Sequence, residues 1–164
     1  MTYTKDIGEI SARMHLAADA EKLQIRPGGS TAVFTAPGAA TEGRFGLYEW
    51  NMPAGIGSSG AHFHKTFSES FYVISGTVGL YDGQAWQRAG TGDFLYVPEG
   101  GVHAFRNDSG APARMLILFA PAPPREEYFR ELCANAAAGR TLTEQEWTEL
   151  FARHDQYRAP EPAD

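Results

Sequence analysis

His62-Phe63-His64-Lys65-Thr66-Phe67-Ser68-Glu69-Ser70-Phe71-Tyr72-Val73-Ile74-Ser75-Gly76 is the stretch from which the fold is read. Side chains alternate faces along an extended backbone, so two histidines two residues apart point the same way. Imidazole nitrogens on one face can close on a single divalent ion. Glu69 leads into Ser70–Ser75, where aromatic and β-branched residues predict a strand. Glu69 can therefore sit on an adjacent strand and add a carboxylate oxygen. If it points inward, Phe71 and Val73 do so too, because the strand period is two.

Downstream, Pro98-Glu99-Gly100-Gly101-Val102-His103 reads as a turn feeding a strand over Val102–Arg106. An inward His103 carries Phe105 with it. A single histidine would be read as an ordinary surface or core residue. His62, His64, Glu69 and His103 together make an N3O donor set that suits one Fe(II), Mn, Co, Ni, Zn or Cu ion. An octahedral ion with four protein ligands keeps two positions for water, substrate or dioxygen.

Further strands are expected at Thr31–Thr35, Arg44–Met52, Thr77–Tyr81, Phe94–Val97 and Arg114–Phe119, with a tight turn at Asp82-Gly83. Many short strands separated by Gly or Pro, without βαβ alternation, argue for an all-β sandwich or barrel. On the strand ending at Met52 the phase is open: Leu47 and Glu49, or Tyr48 and Trp50, face inward. Tyr48, Trp50, Phe71, Val73 and Phe105 are the candidate wall of a substrate pocket suited to a flat, largely apolar molecule. The same aromatics also serve to fill a small barrel. Arg44, Arg88 and Arg106 could grip a substrate oxygen but read better as solvated surface, and His15 and His154 as structural or surface residues.

A short helix is expected near Ala17–Leu23, broken by Pro27-Gly28-Gly29. After Pro121-Ala122-Pro123-Pro124 the pattern becomes helical. Arg125–Ala138 places Tyr128, Phe129, Leu132 and Cys133 on one stripe, and Thr143 opens a capping box with Glu146. Trp147, Leu150, Phe151 and His154 follow at helical spacing. The expected organisation is an N-terminal segment 1–29, a barrel domain 30–120, helices 121–158 packed on the barrel or on a partner, and a flexible tail 159–164.

The chain has 164 residues, of which 43 % are hydrophobic and 21 % charged, the balance of one globular domain. A net charge of -6 argues against nucleic acid or an anionic membrane surface as a partner. No segment approaches the roughly 20 apolar residues of a membrane helix. Cys133 is the single cysteine, which fits a reducing compartment. Met1–Ile10 carries charge and no apolar run, so no signal peptide is expected and the default location is the cytoplasm.

His62-x-His64-x4-Glu69-x6-Gly76 resembles the first cupin motif, and Gly92-x5-Pro98-x-Gly100-x2-His103-x3-Asn107 resembles the second at every defining position. One departure is visible: the leading glycine of the first motif is displaced, with Gly55 and Gly57 flanking its place. The resemblance implies a double-stranded β-helix, or jelly roll, with a metal inside held by His62, His64, Glu69 and His103. It implies turn roles for Gly76, Gly92, Gly100 and Asn107, and pairing as a homodimer. Thr41–Phe45, Glu69–Val73, His103–Asn107 and Tyr128–Glu131 are similar to single-domain cupins related to bacterial quercetin 2,4-dioxygenase. That resemblance implies a dioxygenase of flavonol-like or other aromatic or enolic small molecules, with dioxygen at the metal and Glu69 doubling as a base. A non-oxidative cyclase or isomerase on the same scaffold is the alternative, and a small-molecule-binding module without catalysis the third.

Overall fold

Strict alternation of buried and half-buried residues along two long neighbouring strands organises the interior. The computed structural model describes residues 2–57 and 60–160. Its strands are β1 (Lys22–Gln24), β2 (Thr31–Ala36), β3 (Gly46–Met52), β4 (His62–Phe63), β5 (Ser68–Ser75), β6 (Thr77–Tyr81), β7 (Trp86–Gly90), β8 (Phe94–Val97), β9 (Ala104–Arg106), β10 (Ala113–Ala120) and β11 (Tyr157–Arg158). Two helices, α1 (Arg125–Ala137) and α2 (Glu144–Arg153), come near the C-terminal end.

The large sheet runs β1-β2-β3-β10-β5-β8, a second sheet runs β7-β6-β9, and β11 pairs with β4. All pairings are antiparallel. The architecture is the expected all-β jelly-roll barrel with a helical appendage. In the register of β3 on β10, Trp50 lies opposite Met115 and Tyr48 opposite Ile117, and on β5 Phe71 lies opposite the same Ile117. These side chains share one face and are buried, with Val73, Val78 and Phe119 alongside them. Burying this apolar surface, at about 25 cal/mol per Å2, is what holds the sheets face to face. The phase left open on β3 is resolved by the same packing: Tyr48, Trp50 and Met52 point in, and Leu47 and Glu49 are half-buried on the other face.

Gly76 and Asn107 fix the barrel's turns in different ways. Gly76 has φ 79°, and a Cβ there would lie 2.6 Å from the Pro112 carbonyl oxygen, so only glycine fits. Asn107 is more than a turn residue. It is fully buried, and its Nδ2 donates to the Pro53 and Ala111 carbonyls at 2.9 Å, tying two loops together.

Two expectations are corrected at the ends of the chain. The helix expected near Ala17–Leu23 is absent: Lys22–Gln24 forms β1 instead, because Leu23 pairs opposite Ala32 and packs on the core, tertiary context overriding a weak local preference. The tail expected to fray from Ala159 is held at its start, where the Ala159 N–H donates to the Ala61 carbonyl at 2.9 Å; residues 161–164 lie outside the described residues. The capping box forms as read, with Thr143 and Glu146 exchanging hydrogen bonds. Among the described residues no helix is long and apolar enough to cross a membrane.

Candidate metal centre and pocket

β4 carries His62, and His64 follows directly after it. His62 and His103 form an antiparallel bridge, each N–H donating to the other's carbonyl at 3.0 and 2.9 Å. The Gly100 N–H donates to the His64 carbonyl, so the turn before His103 is tied to the strand carrying His62 and His64. Glu69 arrives from β5, opposite Phe119 of β10 and Val97 of β8. All four side chains are buried, and one potential ligand atom from each lies within 4.8 Å of the others.

Each imidazole is oriented by its other nitrogen. Nδ1 of His62 lies 2.9 Å from the Gly60 carbonyl, that of His64 2.6 Å from the Asp155 carbonyl, and that of His103 3.0 Å from the Gly101 carbonyl. A carbonyl only accepts, so Nδ1 carries the proton in every ring and Nε2 turns its lone pair inward. Nε2 of His64 and of His103 stand 3.0 and 2.9 Å from one oxygen of Glu69. Lone pairs converging on a carboxylate need positive charge among them, supplied by ring protons or by a cation. Donors on adjacent corners of an octahedron with bonds of about 2.1 Å are themselves about 3 Å apart. The residues therefore fit one divalent ion.

The electrostatics agree. Burial would raise the Glu69 carboxyl, but the charge and hydrogen bonds of His103 and His64 outweigh it and hold it well below the usual carboxylate range. Burial depresses His62 to about 3, with His103 and His64 repelling its proton against the pull of Glu69. Burial also opposes protonation of His103, yet the adjoining Glu69 carboxylate overcomes it and raises that pKa.

Above the four ligands opens a cavity of about 430 Å3, within the range of small-molecule sites. His62 and Glu69 form part of its floor, and the expected wall residues Trp50 and Phe105 border it. Tyr48, Phe71 and Val73 are placed differently from the expectation. They are fully buried in the core and do not border the cavity. Tyr48 instead sends its hydroxyl to Glu126 of α1, donating at 2.7 Å, and burial together with that carboxylate raises its pKa. The far wall comes from the C-terminal helices, including Phe129, Trp147 and Phe151.

The last described segment touches the candidate ligands directly. Asp155 supplies the carbonyl that orients His64, and its carboxylate accepts from the Lys65 and Thr66 N–H groups and the Thr66 hydroxyl. Tyr157 and Arg158 pair with Phe63 and His62, and Phe63 stacks on Tyr157. Arg125, the first residue of α1, turns into the cavity wall. Sequence reading missed it. A cation at a helix N-terminus runs against the macrodipole, and that was the available signal that the side chain serves another purpose. Arg44 is exposed beside Glu42 and Arg106 pairs with Asp108, in keeping with a surface reading of both. His154 is structural, bound to Glu131 at 2.8 Å.

A jelly roll with three histidines and a glutamate converging inside the barrel could hold one metal ion, and its structural neighbours are cupins. The sequence model of the cupin domain matches residues 48–119. The chain is 43 % identical over 49 residues to a quercetin 2,3-dioxygenase of Bacillus subtilis, a match spanning 29 % of this chain and only 14 % of the relative. The polyketide cyclase RemF of Streptomyces resistomycificus is 26 % identical, with TM-score 0.56 over 70 % of this chain and 82 % of the cyclase. A cupin-superfamily sugar phosphate isomerase from Silicibacter pomeroyi is 28 % identical, with TM-score 0.52 over 58 % and 61 % of the two chains.

Proposed function

We propose that this protein is a metal-dependent dioxygenase that opens or oxidises a flavonol-like or other aromatic or enolic small molecule. The observation carrying this reading is that a His3Glu donor set presents two of its members, His62 and Glu69, to a cavity walled by aromatic side chains. One bound divalent ion, with His62, His64, Glu69 and His103 as ligands, would polarise a substrate oxygen as a Lewis acid and, if redox-active, offer a site for dioxygen. Glu69, held ionised at neutral pH, would accept the proton of the substrate hydroxyl. Trp50, Phe105 and Phe129 would stack on the ring system and exclude water. The test is turnover of quercetin, with oxygen uptake and carbon monoxide release, by protein loaded in turn with Fe, Mn, Co and Ni. No turnover with any of them rejects the dioxygenase.

A second reading has its own support. Similarity to the polyketide cyclase spans most of both chains, whereas similarity to the dioxygenase covers a small part of that relative. In a non-oxidative cyclase or isomerase the cavity residues would fold and hold a substrate whose carbonyl is activated without electron transfer. Activity with zinc under nitrogen selects it.

The setting fits a reducing cytoplasm, as the single Cys133 suggests. A homodimer is part of the proposal. Exposed Tyr72, Phe94 and Tyr96 cluster on the outer face of β5 and β8. Light scattering of the wild type and of Phe94→Glu tests this, a monomer in both cases rejecting it.

A further inference from the structure

Two residues that border the cavity each carry a buried hydrogen-bond donor without an acceptor. Arg125 is 4 % exposed, and no carboxylate lies within ion-pair distance of it among the described residues. Its Nη1 donates to the His154 carbonyl at 3.3 Å and its Nη2 to Gln156 Oε1 at 3.1 Å, while Nε–H has no partner. The guanidinium sits 4.1 Å from the centre of the Tyr128 ring, 5.1 Å from Phe119 and 5.5 Å from Phe129. Trp50, 7 % exposed, likewise has an indole N–H without an acceptor. Its ring packs 5.3 Å from Phe129, so Phe129 touches both Trp50 and Arg125. Both residues border the same cavity as His62 and Glu69.

A buried, unneutralised guanidinium is costly, and so is an orphaned N–H. Aromatic faces offset part of the first cost but accept no hydrogen bond in the guanidinium plane. Neighbouring carbonyl and amide groups fix the fork from behind without cancelling its charge. The charge count points the same way. With neutral histidines, Glu69 contributes one negative charge, Arg125 one positive charge, and a divalent ion two more. A substrate bringing negative charge would leave the cavity closer to neutrality.

We infer that Arg125 and Trp50 form an anion subsite, which selects substrates carrying a carboxylate on an aromatic or enolic ring. The carboxylate receives the Arg125 Nε–H and the Trp50 indole N–H while the ring lies against Phe129. This deepens the proposed function and rests on it for the identity of the pocket, though the subsite is tested by binding alone.

The test compares 1-hydroxy-2-naphthoate with its neutral primary amide, by titration calorimetry on zinc-loaded protein. The wild type is expected to bind the acid at least about 10-fold more tightly, the scale of hydrogen bonds to a charged group. Arg125→Gln should abolish that preference. Arg125→Lys, which keeps the charge but loses the fork, should retain a reduced preference. Trp50→Phe should weaken the acid several-fold and the amide less, so the preference for the acid falls. Zinc affinity, measured in parallel, should be unchanged in all three variants. An acid preference that persists in Arg125→Gln means the metal alone grips the carboxylate and overturns the subsite, as does equal binding of acid and amide by the wild type. Should Arg125→Gln fail to fold, Arg125→Lys and Trp50→Phe decide: wild-type preference in both overturns the proposal. Failure of the wild type to bind zinc rejects instead the metal-dependent function, a separate result.

Discussion

The barrel floor and the C-terminal segment meet at the same cavity, yet they build their shares of it by opposite means. The floor uses side chains from closely spaced strands: His62 and His64 two residues apart, Glu69 five residues beyond His64, and His103 bridged back to His62. The C-terminal segment walls the cavity with helix side chains but reaches the floor residues mostly through backbone. The Asp155 carbonyl orients His64 across 91 residues, the His154 carbonyl holds Arg125, and β11 pairs with β4. Ligand identity is thus a local property of the strands, and ligand orientation is partly a long-range one.

That contrast is sharpest in metal affinity. His103→Ala removes a donor and should weaken zinc binding by more than the roughly 100-fold that loss of an orienting partner can cost. Deleting residues 155–164 keeps all four ligands but removes the carbonyl that orients His64. It should weaken binding by about 10- to 100-fold. Competition with a chromophoric chelator measures both. Unchanged affinity in the truncated protein would break the comparison, since the floor would then be self-sufficient.

The next effect is in stability. Asp155 has φ 51°, a left-handed conformation, and its carboxylate caps the loop at Lys65 and Thr66. Asp155→Gly loses only the carboxylate bonds, about 1–2 kcal/mol for partly exposed charged acceptors. Asp155→Ala loses them too and keeps the steric cost of a Cβ in that conformation, which glycine relieves, so it should lie about 1 kcal/mol below Asp155→Gly. Thermal unfolding should rank wild type, then glycine, then alanine. Alanine equal to glycine would show that the backbone relaxes there.

The same contrast explains what could be read from sequence. The convergence of the four candidate ligands was legible because strand periodicity and motif spacing carry them within one short stretch, and the inward direction of Trp50 and Phe105 because their strands alternate. Tyr48, Phe71 and Val73 were correctly aromatic or apolar and inward, but inward in a filled barrel means core as often as cavity. Which of the two depends on how far along the strand the cavity reaches, and periodicity has no term for that. Arg125, Asp155 and Gln156 were not legible at all. Their roles come from contacts between segments distant in sequence, and in Asp155 from a carbonyl that every residue possesses. Leu23 shows the limit in secondary structure, where one apolar residue docking on the core converted an expected helix into β1.

The smallest expected effect separates support of the pocket wall from orientation of the metal ligands. Thr143 accepts the Glu146 N–H while Glu146 reaches back to the Thr143 N–H, closing the first turn of α2. Thr143→Ala should lower stability by about 1 kcal/mol. α2 bears on the cavity through Trp147 and Phe151, whereas the His64 anchor lies beyond its C-terminal end at Asp155. Zinc affinity should therefore stay at the wild-type value, and binding of an aromatic ligand should weaken less than twofold. A loss of zinc affinity matching that of the truncated protein would mean that the orienting carbonyl is positioned by the helix as a whole. Control over the floor would then extend back through α2 to its cap.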